Sequence, residues 1–477
     1  MAEPTTPAEW LPVLAKRMDQ EMPRIRLLKR YVDGDAPLPE ADKNTREAWR
    51  RFQKQARTNW GRMIREAVAD RIVPNGITIG GSSTSPEALR AQMIWRNNRM
   101  DSLFKDWVRD GLTFAESYLT TWAPNTVGDV PIITKDSPET MCVAEDPLQP
   151  WRVRAALKVW RDLDAGLDFA YVWTDGSRQK FSRSCYTGIR MRIVRNIQGD
   201  WDPVGDPVTT DGPPPVVVYR NPDGIGEFES HLDVINRINT GILHRLSIAS
   251  MLAFRARALK PAAGTGGMPQ KDQFGNDIDW AARLPFAPGA LWDLPPGVDV
   301  WESAATDITP LLAASKDDIR QLASSTSTPL PMLMPDNANE SAAGATATNQ
   351  GYLSKCGDRA VEAKVGGTAA LVMALSTDKT DVGEQAVDLS FEPVEMVSMA
   401  EKMAAAAQAR AAGMPVKTIW RKVLGWSPED IAQADRDLAD ETLTTMLGTP
   451  PGQQNAATEQ LPTPKPETPM RVPADGS

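Results

Sequence analysis

The chain has 477 residues, 41% of them apolar and 24% charged, with 39 prolines and 15 tryptophans. This excludes a fibrous or wholly disordered chain and leaves room for two to four domains, at roughly 100 to 200 residues each. Its 62 acidic residues against 53 Lys and Arg give a formal charge of -9, so it is not a polycation that coats nucleic acid by neutralising phosphates.

The opening segment MAEPTTPAEW carries acid and proline where a secretory signal carries a basic patch and an apolar run, so export is not expected. Three helical patterns follow. In residues 8 to 32, Trp10, Leu14, Met18, Ile25, Leu28 and Val32 recur every three or four positions or multiples of that step. Residues 43 to 72 repeat the pattern through Trp49, Phe52, Ala56, Trp60, Met63, Ala67 and Ile72, with Arg50, Arg51, Lys54, Arg57 and Arg65 on the other faces. Pro86 starts a third helix whose stripe is Leu89, Met93, Met100, Leu103, Trp107, Leu112 and Ala115.

From about 117 to 220 the period shifts to two. Short runs such as YLTTW, VPIIT, VRAALKVW, DFAYVW, IRMRIV and PPVVVY are separated by Asp175-Gly176, Gly199-Asp200 and Asp211-Gly212, which predicts an antiparallel sheet. The helical period returns at 231 and predicts one long helix over 231 to 260, ended by Pro261. Residues 261 to 305, rich in Gly, Pro and Trp, read as a small excursion. A second helix over 307 to 327 returns from it, with Thr306 and Asp307 as cap candidates.

The next stretch, TPLPMLMPDNANESAAGATA at 328 to 347, passes from prolines and an apolar run through a polar turn into the longest helical pattern of the chain, 339 to 376. Gly366-Gly367 weakens that helix by about 1 kcal/mol each relative to Ala. Its apolar end, ALVMAL, is far short of the ~20 residues of a membrane span, so no membrane protein is expected. A strand at 386 to 394, helices at 395 to 413 and 415 to 424, and an acidic helix at 427 to 447 complete the ordered pattern. From 448 onward Pro, Thr, Gln and Glu dominate, the composition of a disordered tail. The fold class is α+β and rich in helix.

The sequence offers no catalytic constellation. GxxxxGK[ST], HExxH, GxSxG and paired CxxC are absent, and neither a cofactor nor a bound metal is expected. Cys142, Cys185 and Cys356 lie far apart and read as reduced thiols of a reducing compartment. His231 and His244 are the only histidines, thirteen positions apart with no ligand cluster near them, and read as surface or interface residues. Ser376 and Lys379 fit SxxK without its companion motifs. The acids between Glu429 and Glu441 lack the spacing of a calcium loop and read as a solvated face. Arg255, Arg257 and Lys260, placed at the end of the 231 to 260 helix, either complement its macrodipole or face phosphate.

The order of elements, together with YVDGDAPLP at 31 to 39, RTNWGRMIREAVADRI at 57 to 72, the GEFE-to-HRL segment at 226 to 246 and LASSTSTPLPML at 322 to 333, resembles the portal proteins of tailed double-stranded DNA bacteriophages. It is most similar to the family common in long-tailed actinobacterial phages, over residues 10 to 445. The resemblance implies a portal fold of wing, stem, clip and crown that forms a dodecameric ring at one capsid vertex of the virion, assembled in the host cytoplasm. Residues 1 to 230 are then mainly wing, 231 to 260 and 306 to 328 the stem helices, 261 to 305 the clip, 329 to 341 the tunnel loop region, 342 to 394 the wing spine helix and strand, and 395 to 447 the crown. The implied partners are further copies of the chain, double-stranded DNA passing through, the terminase large subunit, a head-completion or adaptor protein, the major capsid protein and a scaffolding protein.

On that resemblance the tunnel loop presents Asp336, Asn337, Asn339, Glu340 and Ser341 to DNA, with no Lys or Arg from 329 to 354. Each cation bound to phosphate adds affinity that translocation must break, so a loop without cations can slide. Arg255, Arg257 and Lys260 are the candidate basic channel lining. Two other classes remain open: a different helical virion or scaffold component without a DNA channel, and an enzyme such as a nuclease with scattered carboxylates.

Overall fold

The computed structural model describes residues 4–448 apart from 38–46, 125, 127–128, 186–193, 195, 254–256, 262–269, 272–273, 281–297, 303–306, 336–341, 384 and 396–398. Helix α1 (Pro7–Val32) begins in a capping box. The Thr6 hydroxyl accepts from the Glu9 backbone N–H at 3.4 Å, and the Glu9 carboxylate accepts from the Thr6 N–H at 3.1 Å. Trp10, Leu14, Met18, Ile25, Leu28 and Val32 are all buried, as their spacing predicts.

The second pattern is two helices, α2 (Glu47–Gln55) and α3 (Trp60–Ala69). Asn59 makes the break: its side-chain oxygen caps Arg62 N–H at 3.2 Å while its amide donates to the Val32 carbonyl at 2.6 Å. After strand β1 (Pro74–Ile79) the third pattern also divides, into α4 (Pro86–Asn97) and α5 (Met100–Phe114), at Arg99 in the left-handed region (φ 53°). That break turns α4 about its axis. Ala88, Ala91, Ile94 and Trp95 face the core, and Leu89 and Met93, expected inside, are exposed.

The middle of the chain forms two antiparallel sheets. Strands β2 (Glu116–Trp122), β3 (Ile132–Asp136) and β9 (Val216–Arg220) pair in the order β3-β2-β9. Between them in sequence, β4 (Met141–Glu145), β5 (Val153–Asp162), β6 (Leu167–Thr174), β7 (Ser177–Ser184) and β8 (Asp202–Thr209) pair in chain order. Asp175-Gly176 is the β6–β7 turn, with Gly176 at φ +77°. Of the IRMRIV run, only the buried Val194 lies among the described residues. The first half of α1 covers one face of the five-stranded sheet, against Leu157, Val159, Val172 and Phe181.

Helix α6 (Leu232–Ala253) ends short of the expected 260. The chain resumes as strand β10 (Arg257–Pro261), paired antiparallel with β11 (Val298–Glu302), and returns through α7 (Thr309–Ser325). The two helices run antiparallel. Arg237 Nε donates to Asp318 at 3.0 Å, and one turn further along Gly241 faces Ser315. Asp307, expected as a cap, instead accepts from the Thr309 N–H at 2.8 Å in the turn just before α7, whose N-cap is Ile308 without a side-chain cap bond, and Thr306 lies outside the described residues. A one-turn helix, α8 (Leu330–Leu333), precedes the long α9 (Ala342–Asp378).

Helix α9, about 56 Å long at 1.5 Å per residue, is the central rod. Its Tyr352, Cys356, Ala363, Ala370, Leu371, Ala374 and Leu375 are buried with α3, α4, α5 and both the β2 and β1 sheets. Here Gly366 and Gly367 serve close packing. A Cβ on Gly366 would lie 2.5 Å from the Trp107 ring, and one on Gly367 would lie 2.7 Å from Phe104 and 2.8 Å from Leu389. The helix is unbroken across them. Strand β12 (Val387–Phe391) follows and pairs with β1, a strand that the hydrophobic pattern did not single out.

Helix α10 (Met399–Ala411) and the short α11 (Val416–Ile419), which runs on into a π turn (Trp420–Leu424), lead to the acidic α12 (Pro428–Gly448). Cys142 and Cys356 are buried, Cys185 is half-buried, and all three are free thiols. Burial pushes the Cys142 thiol up to about 12. Of the tail read from 448 onward, Gly448 ends α12 and residues 449–477 lie outside the described residues.

The glycine packing sets a test. Gly366→Ala forces a methyl into the Trp107 ring and should lower stability by about 1–3 kcal/mol despite better helix propensity. Gly351→Ala, in the same helix with nothing within 4 Å of its Cβ position, should be neutral or stabilising by up to about 1 kcal/mol. Urea unfolding of both variants checks the contrast.

Candidate functional site

The loop between α8 and α9 is the candidate site. Asp336, Asn337, Asn339, Glu340 and Ser341 lie outside the described residues, as does Arg255. Arg257 and Lys260 are not on a helix end. Helix α6 stops at Ala253, and both residues belong to β10, where Lys260 is exposed. For Arg257 and Lys260 the expected macrodipole role therefore does not hold, because a strand has no helix C-terminus to complement.

The junction that holds the loop is well defined. Helix α7 ends with Thr326 O–H donating to the Leu322 carbonyl at 2.7 Å and Thr328 N–H donating to Ala323 O at 2.9 Å. Between them Ser327 takes the left-handed conformation (φ 49°), where glycine is usual. The turn leads into Pro329 and α8, whose Leu333 is buried with Ile64, Ile235 and Leu322. Thr328 is itself buried.

One ion cluster ties this turn to the rest of the fold. The Glu227 carboxylate, its side chain 3% exposed, accepts from Arg359 Nε at 2.6 Å and lies 3.3 Å from Lys355 Nζ. The same Lys355 ammonium donates to the Thr326 carbonyl at 2.6 Å. Lys355 and Arg359 are one turn apart on α9, so they point from the same side of the rod. Glu227 is fixed in turn by its own N–H, which donates to Leu112 O at 2.8 Å, and by Gly226, whose missing side chain lets the chain lie against the Thr113 carbonyl. Three segments thus meet on one carboxylate.

Burial pushes the Glu227 carboxyl up, but Lys355 and Arg359 outweigh it and hold the group below its ordinary value of 4.5. The neighbouring His231 is pushed down, first by burial and then by the charge of Lys355, with Glu227 opposing, so it is neutral at pH 7. His244 is exposed on α6, apart from this cluster. Among the described residues no group of three or more His, Cys, Asp or Glu is placed to hold a metal.

The base of α6 is fixed by the same neighbourhood. Arg24 grips Glu229 with Nε at 2.5 Å and Nη2 at 2.6 Å, and Glu229 also accepts from the Gly226 N–H at 2.8 Å. The Tyr31 hydroxyl donates to Asn236 at 2.6 Å, and Thr58 N–H donates to the buried Asn239 at 3.2 Å. The GEFE segment by itself gives its acids no role in the sequence. The available signal was Lys355 and Arg359 at an i, i+4 spacing, in a helix that also carries Asp358, Glu362, Lys364 and Asp378.

Removing the carboxylate should be costly, since it leaves two half-buried cations without their counter-charge. Glu227→Ala should lose about 3–5 kcal/mol in urea unfolding. The sign of the pH dependence follows from the lowered carboxyl. Stability from this group is fully present above about 4.5 and is lost as pH falls through the lower folded-state value. Urea midpoints measured from pH 7 down to pH 3 should fall less steeply in Glu227→Gln than in the parent chain.

Among solved structures, the chain is similar to the neck of a native GTA particle computed with C12 symmetry, at 14% identity and a TM-score of 0.44, covering 84% of this chain and 99% of that one. It is also similar to the neck of an empty GTA particle computed with C6 symmetry, at 14% identity and a TM-score of 0.43, covering 84% and 92%. No curated protein matches. The family model described as "Phage portal protein, SPP1 Gp6-like" matches residues 13–442, nearly the whole described chain, and the protein belongs to that portal family.

Proposed function

We propose that copies of this chain close into a dodecameric ring at one vertex of a capsid and form the channel for packaging and ejecting double-stranded DNA. Membership of a structural family supports a role without an active site of its own. The observation that carries the reading is the antiparallel pair α6 and α7, extended by the β10–β11 ribbon and braced at its base by Glu227, Lys355 and Arg359. Two rods that run out to a tip and back, held rigidly at one end, suit a stem and clip projecting from a wing.

On this reading residues 1–230 are mainly wing, 231–260 and 306–328 stem, 261–305 clip, 342–394 wing spine and strand, and 395–447 crown. The tunnel loop region, 329–341, leaves directly from the Thr326 turn. A loop anchored by Lys355 at its start holds its position while a duplex moves past, and its lack of Lys and Arg keeps that contact weak. The clip would dock the terminase large subunit and later the adaptor, and the wing and crown would meet scaffolding and major capsid proteins. The protein would act in the virion after assembly in the host cytoplasm.

Native mass measurement and negative-stain imaging of the purified chain test the ring directly. A closed hollow annulus of many copies is expected, and a chain that stays monomeric during particle assembly ends the proposal. The loop has its own test. The double change Asp336→Lys with Glu340→Lys should slow packaging while leaving ring assembly intact, and an unchanged packaging rate would remove the loop from contact with DNA.

A further inference from the structure

The outer face of the five-stranded sheet carries an arrangement that the ring reading does not use. On β5 and β6, Trp160 stacks on Phe169 with centroids 5.4 Å apart and lies 5.2 Å from Tyr171. On β7, Lys180 Nζ sits 4.1 Å above the Phe169 ring and the Arg178 guanidinium 5.1 Å above Tyr171. Register places Val204 opposite Lys180 and Val208 opposite Arg178, and both valines are exposed. The β4 to β6 part of the same face is covered by the β2 sheet, with Tyr118 and Val216 packed near Trp173 and with Trp122 lying 5.4 Å from Trp173 and 5.7 Å from Tyr171, while Val204 and Val208 at the β8 edge are exposed.

The cations here differ from their neighbours. Lys158, Arg152, Arg161 and Arg183 each reach a carboxylate. Arg178 and Lys180 rest on rings and pair with no carboxylate among the described residues, in a chain whose acids outnumber its bases. Asp202 lies across the sheet, opposite Ser182, one row away from Lys180. Ring contact orders the two charged heads without neutralising them, which lowers the entropy cost of engaging an anion. The flanking valines and ring edges add apolar surface.

From this we infer that the open end of the face, around Lys180, Arg178 and the two valines, is a docking surface for an acidic amphipathic segment of another protein. Charge complementarity and exposed aliphatic area together favour that occupant. Nucleic acid is disfavoured because the cations already cover the ring faces on which bases would stack. Strand addition at β8 is disfavoured too, because Pro203 and Pro207 remove N–H donors from the edge. This inference goes beyond the ring reading and stands independently of it.

Fluorescence anisotropy with the full chain tests it. The probe is a labelled peptide with Leu at helical spacing embedded in Glu, compared with the same peptide carrying Lys for Glu and with a labelled DNA duplex. The Glu peptide should bind, and Lys180→Gln with Arg178→Gln should weaken it roughly tenfold with thermal midpoint and assembly mass unchanged. Lys180→Gln alone, which keeps a long side chain over Phe169, should give an intermediate loss. Equal binding by the double variant, or equal binding of the Lys peptide or the duplex to the parent chain, overturns the inference. So does peptide binding to monomers that closed rings refuse, which would assign the face to a second copy. A failure to form rings leaves the peptide result standing and counts only against the ring.

Discussion

A buried carboxylate with two cations cannot be placed piecemeal. Glu227 is withdrawn from water, and it remains charged only because Lys355 and Arg359 arrive from α9 on one side. Those cations are equally dependent on Glu227. The segment before α6, the end of α7 and the middle of α9 must therefore assemble together, and the loop after α8 inherits its starting position from that agreement. The chain carries the direction of its helical hairpin and the direction of its central rod through one electrostatic junction.

The central rod meets a second constraint, which is steric. Trp107 and Phe104 lie against α9 where Gly366 and Gly367 remove the side chains that would keep them away. Close approach lets Trp107 also meet Tyr219 edge-on at 5.4 Å, so α5, α9 and β9 share one core. Where the electrostatic junction fixes orientation, the glycine pair fixes distance. Together the two contacts hold the helical hairpin and the rod in a fixed relation.

Much of the fold was legible in advance. The α1 stripe, the antiparallel strands with their Asp-Gly turn, the returning hairpin, the long late helix and the strand after it follow from local period and turn chemistry. The breaks were not legible. Asn59 and Arg99 interrupt patterns that remain apolar at helical spacing on both sides, and a cap or a left-handed residue changes the phase of a helix without changing its composition. Leu89 and Met93 were placed inside for this reason, and the rotated α4 exposes them. Helix α6 was overextended because Arg257 to Lys260 pair with residues some forty positions later, a partnership that no local window contains.

For the candidate site the division is sharper. The amino-acid order alone determined that the loop region lacks cations and lies between a hairpin and a long helix, because both are properties of sequence position. It also determined the family kinship carried by the GEFE segment and its neighbours. Only the tertiary structure decided which residues anchor that loop, since Glu227 and Arg359 are separated by 132 positions. Charge pairing across such a span depends on burial, and burial exists only once the chain is folded.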